Sequence, residues 1–389
     1  MKVYHFMLSL NPKYGGPTYS VPIQCRGLAK EGVDISLFTY SESRPWEKDI
    51  FEDGVKIVEY DKPTSFIRKK WHLALRNILK KEDDADIYHY HGAWLPCNHW
   101  CAAAARSKGK KYVLNPRGDL ETYRINYNKF KKIKKKLIWW LYAHKDTQNA
   151  SCIIATSRQE ADAIRRLGVV APIAIIPNGI EMNVFPEKIV HSCRDKKVVL
   201  FLSRVNPIKG IDLLIEAWSK LPDNLKTQWE LHIAGNSDPK DYIHKLEGLI
   251  SQLGLVDNVK LLGPITGDDK MQKYMDSDLF ILPTFNENFG NVVAEAMMCE
   301  CPAITTTNAP WEVLNEEKCG WWIDLSVNNI VNTLTEAMSL TDEQRIDLGR
   351  KSRQCIINHF SSESVAKQTK MVYEWVLGKG DKPDFVQTV

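Results

Sequence analysis

LFILPTFNENFGNVVAEAMMCE, residues 279–300, decides how this chain folds. Leu279 to Leu282 form an apolar run of strand length that Pro283 closes. A polar loop with Glu287 follows, Phe289-Gly290 makes a turn, and from Asn291 onward apolar residues recur at helical spacing. Strand, loop and helix in that succession are half of a βαβ unit. The same alternation repeats on both sides of the segment. Strands are expected near 3–8, 35–39, 87–91, 112–115, 152–155 and 173–176, and then near 198–203, 230–234, 259–262, 279–283 and 303–306. Amphipathic stretches of helix length separate most of them, so each half is expected to be a doubly wound α/β unit. The turn residues Pro177-Asn178-Gly179 place the boundary. The expected domains are 1–178 and 179–389, with the last helix, after Ser361, placed to pack back on the first domain and a frayed tail beyond it.

The chain has 389 residues, 44% of them hydrophobic and 26% charged, enough for two cores of roughly 150–200 residues each. Its net charge of +4 hides an asymmetry: 30 Lys plus Arg against 18 Asp plus Glu through Ile180, and 22 against 30 after it. Halves of +12 and −8 face different partners, and an acidic membrane, a nucleic acid or a phosphorylated lipid suits the first. The longest apolar runs, such as 137–142, fall far short of the roughly 18–20 residues of a membrane-spanning helix. The N-terminal apolar stretch reads as a first buried strand, not a signal peptide. Nine cysteines without a CxxC pair point to reduced cytosolic thiols and against a disulfide frame or zinc site.

Glu295 lies eight residues after Glu287 and about one turn inside its helix. Helical side chains tilt toward the N-terminus, so both carboxylates can reach one end of a cleft at the carboxyl ends of the strands. The amides that open this helix suit an anion. Acidic acceptors beside an anion site fit a molecule with both hydroxyls and a diphosphate, such as a nucleotide sugar. Taken singly, Glu287 is an ordinary loop carboxylate and Glu295 a solvated helix residue. In FLSRVNPIKG, residues 201–210, Arg204 and Lys209 bracket a turn after a buried strand. Each alone reads as a surface charge; converging, they would hold a diphosphate and offset the charge it gains as a leaving group. With the Glu pair in the same half, the donor-site reading is preferred.

These segments, with GGPTYSVPIQCRGLAKEGVDISLFT (15–39), ADIYHYHG (85–92), IIPNGIE (175–181), LHIAGNSD (231–238) and VKLLGPI (259–265), give a chain that resembles glycosyltransferase family 4 nearly end to end. The resemblance implies the α/β GT-B fold, two Rossmann-like doubly wound domains facing across a cleft, and retaining transfer from a UDP- or GDP-sugar. It implies that Arg204 and Lys209 hold the donor diphosphate, that Glu295 takes the ribose hydroxyls, and that Glu287 contacts the transferred sugar. Backbone groups at Phe289, Gly290, Asn291 and Val292 would support sugar and phosphates, and the loops of Asn236 and Gly263 would surround the base. Gly15 and Gly16 would let the backbone approach the phosphates closely, the plain alternative being a turn that opens a helix.

Two close carboxylates would permit a covalent intermediate, whereas the resemblance implies front-face substitution with no mandatory metal. Asp84-Ala85-Asp86 and Asp276-Ser277-Asp278 have the spacing of a metal motif but precede strands, so they read as solvated turn residues. One departure stands in LNPRGDL, residues 114–120: Arg117 occupies a place where many family members have histidine. There it would pair with a phosphate or an acidic acceptor. His89 and His91 are alternatives, each with a packed strand-end reading beside it.

RINYNKFKKIKKKLIWWLY, residues 124–142, has seven Lys or Arg and no acid. Lys131, Lys132, Lys134, Lys135 and Lys136 interleave with an apolar stripe that ends in Trp139 and Trp140, which suits an anionic membrane interface. Alternatively the stripe packs on its own sheet and the lysines face water. Both hold if the Trp pair is core and the lysine run is the contact face. Nucleic acid is set aside because no nucleic-acid motif accompanies the run. The expected protein is thus a cytoplasmic glycosyltransferase, peripheral on the inner face of the cytoplasmic membrane, acting on a lipid-linked glycan of bacterial surface polysaccharide synthesis. A nucleotide-sugar epimerase, a glycogen-type synthase and a non-catalytic nucleotide-sugar-binding protein remain alternatives. A dinucleotide oxidoreductase is set aside because GxGxxG is missing after the first strand.

Overall fold

The computed structural model describes residues 1–11, 16–40, 54–60, 73–82, 84–121, 129–189 and 195–389. Gly15 and the start of the basic segment, 124–128, lie outside the described residues, as do the side chains of 129–131, Lys131 among them. The chain forms two compact units, Met1–Ile180 with Phe360–Val389, and Glu181–His359. The first boundary falls two residues after the expected one. A second crossing at 359/360 returns the last helix, Ser362–Val376, to the first unit. There Gly27 of helix Pro17–Lys30 is approached so closely that a Cβ would stand 3.0 Å from both the Ala366 Cβ and the Ser362 carbonyl.

In the first unit, β1 (Lys2–Phe6), β2 (Asp34–Tyr40), β3 (Val55–Tyr60), β4 (Ile87–His91), β5 (Lys111–Asn115), β6 (Cys152–Ala155) and β7 (Ile173–Ile175) form one parallel sheet. Its order is β7-β6-β5-β4-β1-β2-β3, and the two-residue strand Val386–Gln387 pairs antiparallel on β7. The expected frayed tail is therefore a sheet-edge cover, with Val386 buried. Period-2 alternation divides the strands between two cores. Tyr4, Phe6, Phe38, Tyr88 and Tyr112 fill one face. Val3, Ile35, Ile87 and Val113 fill the other, together with residues of helices Pro17–Lys30 and Ser362–Val376. Register sets His5 opposite His89 across the β1–β4 pair.

In the second unit, β8 (Lys197–Leu202), β9 (Trp229–Ala234), β10 (Val259–Gly263), β11 (Leu279–Leu282), β12 (Ala303–Thr306) and β13 (Gly320–Ile323) run parallel in the order β10-β9-β8-β11-β12-β13. From β8 the chain winds outward through β9 and β10, then returns to β11 on the other side. The switch point lies between β8 and β11, where open α/β sheets bind ligands outside the carboxyl ends of the strands. No helix among the described residues is long and apolar enough to cross a membrane.

Candidate active site

The loops after β8 and β11 flank the switch point and are sewn together there. Ile208 offers its carbonyl to the Phe285 amide at 2.8 Å and to the Thr284 hydroxyl at 3.1 Å. Asn206 caps the short turn Pro207–Lys209 by accepting the Ile208 amide at 3.0 Å. Gly210 then takes φ +65°, so near the other loop that a Cβ would lie 2.1 Å from the Pro283 carbonyl oxygen. Only glycine fits both demands. Lys209 and Glu287 are thereby brought together: the Lys209 ammonium donates to the Glu287 carboxylate, with both side chains largely buried. Glu287 is fixed by its own amide on the Asn308 carbonyl at 3.0 Å.

Gly290, at φ +82°, opens helix Asn291–Met298. A Cβ there would stand 3.0 Å from the Glu287 Cγ, so the turn lies directly against the loop carboxylate. Phe289 is buried, and its carbonyl accepts from the Trp311 indole at 2.5 Å. Asn291 and Val292 form the half-exposed first turn. Further along the helix, Glu295 receives the Tyr274 hydroxyl at 2.9 Å and the Lys270 ammonium at 2.5 Å on the same oxygen, Oε2. Burial pushes the Tyr274 phenol well above its usual range, so it remains a donor. Lys270 and Tyr274, on helix Gly267–Met275, together with Asn308 and Trp311, complete the site and were not found by sequence reasoning. Their spacing from the motif carries no local signal.

Arg204 is exposed, 3.6 Å from Asp238. Its loop is laced to the one after β9 by the Val205 amide on the Asn236 carbonyl at 2.8 Å and the Asp238 amide on the Val205 carbonyl at 2.9 Å. Gly235 in turn donates to the Gly263 carbonyl at 2.8 Å. Arg204, Asn236 and Gly263 therefore crown adjacent strands. Arg204, Lys209 and Lys270 each meet a carboxylate in this unit. The two Asp-x-Asp motifs lie at the other, amino end of β4 and β11. Asp86 accepts the Lys2 amide at 2.8 Å, and Asp278 accepts the Val198 amide at 2.9 Å.

In the first unit Arg117 turns inward. It is buried at φ +51°, a conformation that costs a non-glycine residue roughly 1–3 kcal/mol and persists only where its surroundings enforce it. Its guanidinium donates to Ser20 Oγ at 2.8 Å, Asn178 Oδ1 at 2.8 Å, Gln24 Oε1 at 2.7 Å and His91 Nδ1 at 3.1 Å. Burial lowers its pKa to about 10. The Glu160 carboxylate is buried and held by the Gly118 amide and by the Thr156 amide and hydroxyl. His89 and His91 are packed in the sheet beside His5, where burial drives the imidazoles toward the neutral form. Gly16 has helical φ and ψ, and among the described residues, its chain neighbours apart, no atom lies within 4 Å of where its Cβ would stand.

The basic segment forms helix Lys129–Ile138, continued by a π-turn over Trp139–Ala143. The expected Trp pair is split. Trp139 packs on the core with its ring 6.0 Å from that of Trp94, whereas Trp140 is 79% exposed. Ile133, Leu137 and Leu141 are also exposed, as are Lys134 and Lys136. Lys132 is half-buried. Lys135 is tied to the fold, because its ammonium lies 4.8 Å from the Trp94 ring centroid. The π-turn re-phases the helix, so that Trp139 and Ala143 face inward while Trp140 and Leu141 face out.

Residues 14–184 match Glycosyltransferase Family 4, and residues 187–355 match Glycosyl transferases group 1. An uncharacterized glycosyltransferase of Methanocaldococcus jannaschii is 29% identical over 181 residues, 46% of this chain and 45% of that protein. A D-inositol 3-phosphate glycosyltransferase of Xylanimonas cellulosilytica is 27% identical over 170 residues, 40% of each chain. The chain thus spans less than half the length of these curated relatives. Among solved structures, Anabaena HepE in complex with UDP-glucose superposes with a TM-score of 0.72 at 17% identity, covering 97% of this chain and 100% of that one. With two parallel-sheet Rossmann-like units and family matches on successive halves, the chain belongs to glycosyltransferase family 4 and has the GT-B fold.

Proposed function

We propose that the protein moves a sugar from a nucleotide-sugar donor onto a hydroxyl of a lipid-borne glycan, with retention at the anomeric carbon. The observation that carries this reading is the Lys209–Glu287 couple, held at the β8/β11 switch point by two interlocked loops. A preformed carboxylate for sugar hydroxyls beside a preformed ammonium for a diphosphate needs no reorganisation when the bond breaks. Glu287 would orient the sugar, Lys209 and Arg204 would offset the charge on the departing diphosphate, and Glu295 would hold the ribose. In this scheme the bond from the anomeric carbon to phosphate oxygen breaks while the acceptor oxygen attaches on the same face. The acceptor proton passes to the departing phosphate oxygen, which leaves as a nucleoside diphosphate. The scheme requires no resident metal. The UDP-glucose bound by the Anabaena neighbour supports a UDP-sugar.

For the acceptor, the exposed side chains of Ile133, Leu137, Trp140 and Leu141 with Lys134 and Lys136 support docking on an anionic lipid surface. A peripheral enzyme of the inner face of the cytoplasmic membrane, serving surface-polysaccharide synthesis, fits that surface. Glu287→Gln and Lys209→Met should each cut transfer at least about a hundredfold with the fold intact. Product analysis should show the donor's anomeric configuration kept. Near-normal turnover in both variants would remove the site, and an inverted linkage would remove the retaining scheme. Thermal-shift ranking of UDP, GDP and their sugars names the base, since stabilisation follows affinity.

A further inference from the structure

The first unit contains a cluster that the proposed transfer does not use: His5, His89, His91, Tyr373 and Arg117, all buried. The three imidazoles offer ring nitrogens within 4.8 Å of one another, the spacing of a metal site. Hydrogen-bond direction decides otherwise. A guanidinium only donates, so the 3.1 Å contact from Arg117 Nε makes His91 Nδ1 an acceptor. Neutral His91 then carries its proton on Nε2 and donates to His5 Nδ1 at 3.2 Å. His5 in turn donates from Nε2 to the Tyr373 oxygen at 3.1 Å, and the Tyr373 hydroxyl gives its proton to a bond with His89 Nδ1 at 2.5 Å. His89 Nε2 is left as the proton-bearing end, without a hydrogen-bond partner among the described residues. One obligate donor thus assigns every tautomer in the chain. A metal cation would need lone pairs already committed and would sit against the guanidinium.

The other arm of Arg117 runs to the start of helix Pro17–Lys30. Its Nη1 donates to Ser20 Oγ, and the Ser20 hydroxyl donates to the Gly16 carbonyl at 3.3 Å, which also receives the Tyr19 and Ser20 amides at 3.0 and 3.1 Å. The relay therefore grips β1 through His5, the final helix through Tyr373, and the first turns of helix Pro17–Lys30 through Ser20 and Gln24.

We propose that Arg117 is a positioning residue: it polarises a one-way relay, Arg117 to His91 to His5 to Tyr373 to His89, and from that anchor holds Ser20 and the Gly16 turn in place. The part concerning catalysis rests on the reading of Gly16 as backbone that approaches the donor; the relay itself does not. A neutral imidazole at position 117 can be donor or acceptor and would leave the direction of the chain undetermined, which arginine forbids.

Nitrogen-15 NMR of the imidazoles in the full-length protein tests the relay without any activity. All three buried histidines should be neutral and protonated on Nε2. Tyr373→Phe, a small change, should free the tautomer of His89 alone, because His91 and His5 lie upstream of the break. Arg117→Met should free all three and speed amide hydrogen exchange at Tyr19 and Ser20 at least about tenfold. Ser20→Ala should lower kcat about tenfold at unchanged acceptor KM, and add little in the Arg117→Met background. A wild-type His91 protonated on Nδ1, mixing at His5 in Tyr373→Phe, or stoichiometric Zn2+ uptake by the three histidines would overturn the relay. Unchanged exchange at Tyr19 and Ser20 in Arg117→Met would overturn the positioning role, as would a raised acceptor KM in that variant with Ser20→Ala silent. An inactive wild-type protein with the expected tautomers and exchange would sink the transferase reading and leave the relay standing.

Discussion

Gly210→Ala tests whether the interlock of the two loops, and not merely the presence of Lys209 and Glu287, makes the site. The methyl group would land 2.1 Å from the Pro283 carbonyl oxygen, where Cβ contacts essentially never fall below 3.0 Å. The loops must part by about 1 Å. Adopting φ +65° costs an alanine roughly 1–2 kcal/mol. Stretching the Ile208 contacts with Phe285 and Thr284 adds roughly 0.5–1.5 kcal/mol for each bond lost. A total of about 2–5 kcal/mol is at the lower end of the roughly 5–15 kcal/mol of a typical domain, so the variant should fold, with Tm lowered by about 4–20 °C. Lys209 directly precedes the displaced residue and moves away from Glu287, and a misplacement of about 1 Å costs on the order of a hundredfold in rate. Gly254→Ala is the matched control, with φ +67° but open space around its Cβ; it bears the conformational cost alone and keeps its activity. Nucleoside diphosphate release and thermal melting would be measured on both. Turnover of Gly210→Ala within about threefold of wild type, or an equal loss in Gly254→Ala, would refute the interlock.

Acid should unfold the first unit early. Burial lowers the His5 pKa to about 3 and those of His89 and His91 well below the usual 6.5, and the Arg117 guanidinium and the neighbouring imidazoles add to the shift. The unfolded chain therefore binds protons that the folded one refuses, and stability falls as pH drops below about 6.5 toward 3, by up to roughly 4 kcal/mol per pH unit for three sites; a Tm flat from about pH 6.5 to 5 would contradict it. Replacing Lys134 and Lys136 by Gln should weaken binding to anionic vesicles about thirtyfold, at roughly 1 kcal/mol per lysine, and Trp140→Ala should weaken it further, whereas unchanged binding would return the helix to a purely structural role. Tyr274→Phe removes one of the two donors on Glu295 Oε2 and should raise donor KM about three- to tenfold at constant kcat; a change confined to acceptor KM would take Glu295 out of the donor site.

The strands legible in the sequence are those buried along their whole length, such as Cys152–Ala155 and Leu279–Leu282, where a short apolar run bounded by turn residues has one natural reading. The missed ones are sheet edges. Val55–Tyr60 carries exposed Lys56 and Glu59, Gly320–Ile323 is half-buried throughout, and Val386–Gln387 is only two residues long. In the site, Lys209 and Glu287 were legible because each sits a fixed few residues past a strand end. Lys270 and Tyr274 were not, since their meeting with Glu295 depends on how one helix is laid beside another. Arg117 was legible as a departure in a motif, but its direction was not: an inward guanidinium is set by Ser20, Gln24, His91 and Asn178, which no local spacing relates.

The acidic second unit faces a problem that its ion pairs resolve unequally. On the donor-site reading a diphosphate is to be held where the bulk charge is negative, and Arg204, Lys209 and Lys270 each already have a carboxylate. Lys209 and Lys270 are held in largely buried contacts with Glu287 and Glu295. Removing a buried partner leaves an uncompensated charge at a cost of roughly 3–5 kcal/mol, so these two couples behave as fixed parts that present their remaining valence without separating. Arg204 differs: it and Asp238 are both mostly exposed and 3.6 Å apart. Such a pair is worth no more than about 1 kcal/mol, and the planar fork of a guanidinium matches phosphate oxygens in pairs. Exchange of Asp238 for a phosphate is therefore easy at Arg204, whereas the same exchange at Lys209 is opposed by burial. On the proposed reading a division of labour follows from that difference: Arg204 would capture the diphosphate, and the Lys209–Glu287 couple, which does not have to open, would supply the fixed field against which the bond to the sugar breaks.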